Sequence, residues 1–164
     1  MTEHQDSTSH ERRRKFLVVV DHTPECPKAL RFAARRAQST GGAVSMLYVI
    51  EPEEFQHWQS VQEAMRAEAY QEAEARLRAL AEEVKALSGV SPDFAIREGV
   101  KREQVAEYIE SDQDISILVL GAGSESEGPG PLVSAVAGRS GFTLRVPVTI
   151  VPGHLSAEEI DALC

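Results

Sequence analysis

Continuous apolar runs alternate with longer stretches of helical spacing along most of the chain. Phe16-Leu17-Val18-Val19-Val20 is mostly β-branched and ends at Asp21, the pattern of a strand covered on both faces, as in parallel sheets. Thr23-Pro24-Glu25 then reads as a helix start, with a capping hydroxyl, a proline in the first turn and an acid at the positive end of the dipole. Leu30, Ala33, Ala34 and Ala37 keep helical spacing to about Thr40, where Gly41-Gly42 supplies a stop. Ala43 to Ile50 is the second strand. From Glu53 to Leu87 neither proline nor glycine interrupts apolar positions recurring every three or four residues, which predicts one long helix or two. Its first half is sparsely apolar and is expected to extend beyond the sheet, whereas Leu77 onward packs on it.

Asp93 to Arg97 predicts a short third strand, and Glu103 to Glu110 a helix showing Val105 and Ile109 on one face. Ile115 to Leu120 is the clearest strand; it stops abruptly at Gly121-Ala122-Gly123, before a loop rich in glycine and proline. Leu132, Val133, Val136 and Ala137 suggest a short helix, and Val146 to Val151 a last strand, which Pro147 assigns to a sheet edge because it cannot donate to a ladder. Strand and helix alternating in this way define an α/β class: a doubly wound parallel sheet of five strands in a three-layer α/β/α sandwich, with right-handed crossovers. Met1 to Arg13 carry no apolar residue after the initiator, so residues 1–14 are expected as a disordered tail. The domain then spans 15–153, and 154–164 form a C-terminal tail.

Charge narrows the list of partners. The formal net charge is −9, from 26 acidic and 17 basic side chains, which repels nucleic acid and anionic lipid alike. The one basic cluster, Arg12 to Lys15, reads as a solvated junction. No apolar run approaches the roughly 20 residues of a membrane span, and the N-terminus lacks the apolar core of a secretory signal, so a cytoplasmic protein is expected. Cys26 and Cys164 make neither a metal spacing nor a disulfide framework.

In open sheets of this class ligands sit beyond the carboxyl ends of the strands, where the strand order reverses. Two loops qualify: Asp21 to Thr23, and Gly121 to Gly130. Asp21 has two readings, as acceptor for an adenine amino group or as a residue that holds its own turn. His22 is placed for acid–base work, but no nucleophile or second carboxylate is fixed beside it, so it reads as a turn histidine. Cys26 is either a reactive thiol in the first turn of a helix or a packing residue. The glycine-rich loop suits a phosphate, yet Glu125 and Glu127 lie within it, no Lys or Arg does, and Pro129 and Pro131 lack amide donors. No catalytic or metal-binding residue is assigned. A dehydrogenase is set aside because Asp21-His22-Thr23-Pro24-Glu25 holds no glycine of the dinucleotide fingerprint.

Lys15 to Asp21, the helix with Ala29-Leu30 and Ala33, Met46 to Pro52, Ile115 to Gly121, and Val146 to Pro152 together resemble the universal stress protein family, over roughly Lys15 to Gly153. The resemblance implies a strand order 3-2-1-4-5 and homodimerisation through the last edge strand, where Val146, Val148 and Ile150 alternate. In one subgroup it also implies ATP or AMP, with magnesium, between strands one and four. Asp21 and Val49 occupy the positions of that subgroup's adenine contacts. Its phosphate motif is Gly, two residues, Gly, nine residues, Gly, then Ser or Thr. Gly121 fits the first position, but Ser124 stands at the second, Gly128 and Gly138 keep only the nine-residue gap, and Arg139 replaces the hydroxyl. The expectation is therefore a dimeric stress-response binding and signalling module, not an enzyme, that does not bind ATP tightly; the alternative is an ATP- or AMP-binding switch with slow hydrolysis at most. Phe55 and Trp58 offer a place for a protein partner.

Overall fold

In the computed structural model, which describes residues 13–52, 59–124, 126–138 and 142–164, Lys15–Val20 forms β1 at the centre of a sheet. Phe16, Val18 and Val20 enter one apolar core; Leu17 and Val19 enter a second on the opposite side. A strand with two apolar faces is stable only between two helical layers. α1 (Cys26–Thr40), α2 (Gln59–Ser88) and α5 (Ala157–Leu163) cover the first face, and α3 (Lys101–Ser111) and α4 (Pro131–Ala137) the second. β2 (Ala43–Ile50), β3 (Asp93–Glu98), β4 (Ile115–Ala122) and β5 (Val148–Pro152) complete a parallel sheet in the order β3-β2-β1-β4-β5. Val18 lies opposite Met46 on one side and Val119 on the other. The chain winds outward from β1 through β2 and β3, then returns to β4 and β5, so the direction reverses between β1 and β4. A crevice opens there, at the carboxyl ends of both strands.

Several boundaries moved for identifiable reasons. α1 starts at Cys26, not at Thr23, because the Thr23 amide and hydroxyl both bond to Asp21 and leave Thr23 outside the helix. Glu25 is the N-cap and makes no capping side-chain bond, and Pro27 rather than Pro24 lies in the first turn. At the other end Gly41 takes φ 67° and its amide reaches the Ala37 carbonyl, the stop expected there. α2 is one helix, and its first half docks instead of projecting: Ala73, Met65, Ala69 and Tyr70 pack against Ile50 and Ile96, while Arg66 and Tyr70 both bond Glu98 at the end of β3. Phe55 and Trp58 lie outside the described residues, as does most of the N-terminal tail.

At the last strand, Val146 and Pro147 precede β5 instead of belonging to it. Val146 is buried in the second core, and the Pro147 carbonyl accepts from the Leu118 amide at 3.0 Å, so the ladder begins one residue later. β5 is an edge strand, as Pro147 indicated. Of the three residues assigned to a dimer edge, Val146 faces inward, Val148 is half-buried, and Ile150 is 40% exposed. Lys15, at the end of the basic cluster, is an anchor: it bridges Asp112 at 2.6 Å and Asp93 at 3.1 Å, joining the start of β1 to the end of α3 and the start of β3. Burial works against its charge, but the bonds to the two carboxylates hold its ammonium above the usual lysine range.

Residues 154–164, set apart as a tail, fold back onto the domain. Ser156 and Glu159 form a reciprocal capping box that starts α5, Ile160 is fully buried in the first core, and Arg31 grips Asp161 through two bonds of 2.7 and 2.6 Å.

Candidate functional site

Asp21 follows β1 at the mouth of the crevice. Its Oδ1 accepts from the Thr23 amide at 2.9 Å and from the Thr23 hydroxyl at 2.5 Å, so one carboxylate oxygen is already committed to the turn. Next to it, the His22 ring meets Tyr48 edge-on, with centroids 5.9 Å apart. Cys26 is buried, and loss of solvent pushes its thiol up to about 11, which makes it a packing residue and not a reactive one.

Two adjoining cavities share Asp21 and Lys101. The larger, about 220 Å³, lies over the ends of β1 and β2 and is lined by Tyr48, Val49, Glu51 and Glu72 among others. The smaller, about 80 Å³, lies over β1 and β4 and is lined by Glu25, Thr23, Gly121 and Gly130. The structure thus brings Asp21, Val49 and Gly121 to one cleft, although Val49 is mostly core. Gly128 lines neither cavity; its carbonyl lies against Gly123. Gly138 lines neither cavity; it closes the C-terminal end of α4 by bonding the Ser134 carbonyl.

The glycines of the β4 end serve the protein's own packing. A Cβ on Gly121 would lie 2.7 Å from the Glu25 carbonyl oxygen and 2.9 Å from its Cβ and Cγ. One on Gly123 would run into the Gly128 carbonyl and lie 3.5 Å from Glu25 Oε1. The Glu25 side chain is therefore laid along the strip that glycine leaves open. Nearby amides are spent as well: Lys28 and Ala29 donate to the Glu25 carbonyl, Cys26 to Thr23, and Glu127 and Gly128 to Ser124. The Lys28 ammonium is drawn away to the Gly153 carbonyl.

Sequence reasoning missed Glu25 and Lys101 as cleft residues. Glu25 looked like an acid placed for a helix dipole, and its position over the glycines depends on tertiary approach. Lys101 had a weak signal, as the cation that follows Gly99-Val100 just past the third strand. Across the two cavities Asp21, Glu25, Glu51 and Glu72 stand against Lys101. Four carboxylates against one ammonium, with Glu25 laid along the glycine strip, oppose the charge of a triphosphate. Among the described residues no group of three or more His, Cys, Asp or Glu side chains is arranged to hold a metal ion.

A sequence model of the universal stress protein family matches residues 12–152. Among solved structures, universal stress protein UspA from Lactobacillus plantarum is 20% identical with a TM-score of 0.70, covering 84% of this chain and 97% of its own. A universal stress protein from Archaeoglobus fulgidus in complex with dAMP is 18% identical with a TM-score of 0.59, covering 84% and 96%. Another, in complex with cAMP, is 15% identical with a TM-score of 0.58, covering 86% and 98%. At these identities the structures share a fold with this chain. Among curated proteins none matches the sequence.

Proposed function

This chain belongs to the universal stress protein family, and from that premise we propose that it is a cytoplasmic stress-response binding and signalling module that acts as a homodimer and does not hold ATP tightly. The observation that carries the reading is the Glu25 side chain lying along Gly121 and Gly123, where the phosphates of a nucleotide in this crevice would need room and positive charge. Titration of ATP with magnesium into the purified protein tests it. No heat of binding is expected up to about 1 mM ATP, and a dissociation constant of roughly 10 μM or below would instead establish the nucleotide switch.

The dimer rests on β5, an edge strand whose outer ladder has no neighbouring strand among the described residues and which exposes Ile150. Light scattering at micromolar concentration is expected to give twice the 17.9 kDa chain mass, and Ile150→Lys to shift the population toward monomer. A mass of one chain at every concentration would remove the dimer from the proposal. No helix among the described residues is long and apolar enough to cross a membrane.

A further inference from the structure

Glu25 fills the part of the cleft that an anion would use, while the larger cavity beside it stays open. The Glu25 side chain lies beside three glycines at once: its Cβ and Cγ beside Gly121, its carboxylate Oε1 beside Gly123, and its Cβ again beside Gly153, whose own Cβ would come within 3.6 Å of it. Side chains at these positions would push it out. It is held from its own backbone too, since its carbonyl accepts from two amides of α1. Lys101 lines the same small cavity and makes no ion pair among the described residues, so the cleft contains a cation with no fixed counter-charge and a carboxylate standing where a ligand's negative group would meet it. The larger cavity shares that Lys101 and is otherwise bordered by two aromatic rings, Val49 and the acceptors Asp21, Glu51 and Glu72.

From this geometry we infer that Glu25 is a specificity-determining residue: it occupies the anion seat of the cleft, so that the site admits uncharged, donor-bearing ligands and turns their phosphorylated forms away. The inference rests on the reading of the crevice as a ligand site and names the ligand class that reading leaves open. Removing the carboxylate should do two things. It frees the space over Gly121 and Gly123, and it leaves Lys101 opposed there by Asp21 alone, one oxygen of which is already bonded to Thr23. A like charge removed at close range in a partly shielded cleft is worth at least about 10-fold in affinity for an anion.

The probes are deoxyadenosine and dAMP, which differ only in the phosphate, titrated into wild type, Glu25→Ala and Glu25→Gln. Wild type is expected to bind deoxyadenosine at least as well as dAMP. Glu25→Ala should gain at least about 10-fold for dAMP with little change for the nucleoside, and Glu25→Gln, which keeps the bulk and loses the charge, a smaller gain. Adding Lys101→Met to Glu25→Ala should abolish the gain. The inference is overturned if wild type prefers dAMP, if Glu25→Ala shows no dAMP binding at about 10 mM while its melting profile remains that of a folded protein, or if the gain survives Lys101→Met. Glu25→Gln retains the packing on the glycines and keeps the test valid should the alanine variant unfold. Micromolar ATP binding by wild type would sink the proposed function itself, whereas a wild type that refuses ATP and a Glu25→Ala variant that gains nothing would leave that function standing and remove only the role of Glu25.

Discussion

Gly121→Ala is expected to destabilise the protein by about 2 kcal/mol and to lower its melting temperature by roughly 4–8 °C, although it adds a single methyl group. The methyl would sit 2.7 Å from the Glu25 carbonyl oxygen and 2.9 Å from two of its side-chain carbons. Neither wall can yield easily. Gly121 is registered against Val151 in the sheet, and the Glu25 carbonyl is held by the amides of Lys28 and Ala29. Gly128 provides the contrast. Nothing lies within 4 Å of a Cβ there, but its φ of 78° is a left-handed conformation, so Gly128→Ala should cost about 1 kcal/mol through backbone strain alone. Chemical denaturation of the two variants separates close approach from conformation. If Gly121→Ala melts like the parent protein, Glu25 does not lie on that glycine, and the account of a filled anion seat goes with it.

The reach of the sequence follows from how local each feature is. β1, β2 and β4 were legible because strands buried on both faces show as apolar runs, broken only by Ser45 in β2 and Ser116 in β4, and their alternation with helical periods leaves few topologies open. The order of the strands came from the family likeness, not from periodicity. Boundaries failed where one side chain had two uses. Thr23 had the chemistry of a helix cap, but Asp21, two residues before it, captured its amide and hydroxyl, and α1 began three residues later. Asp21 itself had been open between holding its turn and meeting a ligand; one oxygen now does the first, and the cavity that borders it still offers the second.

Within the candidate site, Gly121 reads as the first glycine of a phosphate motif, but a side chain of the protein itself lies on it. That side chain is Glu25, 96 residues away in the chain, brought there because β1 and β4 are neighbours in the sheet. Gly138 shows the converse. Its spacing matched a fragment of the phosphate motif, yet it stands at the end of α4, where it caps a helix. Spacing locates a phosphate motif only when the loop between its glycines keeps the length that returns them to one place.

The second large effect concerns the last eleven residues. Ile160→Ala should destabilise the protein by about 2–4 kcal/mol, the cost of emptying a fully buried site in the first core. The signals for this helix were present in the sequence: Ser156 and Glu159 at capping-box spacing, followed at once by an isolated Ile. The helix is also tied by charge, which gives its docking a pH dependence of definite sign. The Arg31 guanidinium, with Arg35 beside it, holds the Asp161 carboxyl down at about 2 against an ordinary 3.8, and backbone and hydroxyl bonds at Ser156 lower Glu159. A carboxyl depressed by folding stabilises the folded form above its ordinary value, and that contribution is lost as pH falls through the depressed one. Protection of the amides across 157–163, taken as the exchange rate relative to the intrinsic rate at each pH, should therefore stay high at pH 5 and fall between about pH 4 and pH 2, before that of the central strands. In Asp161→Asn the part of that change due to Asp161 should vanish, with faster exchange already at pH 5. Exchange that follows the global unfolding of the sheet at every pH would show that α5 is no separate unit, and a wild-type melting temperature in Ile160→Ala would show that its buried face is not what holds it.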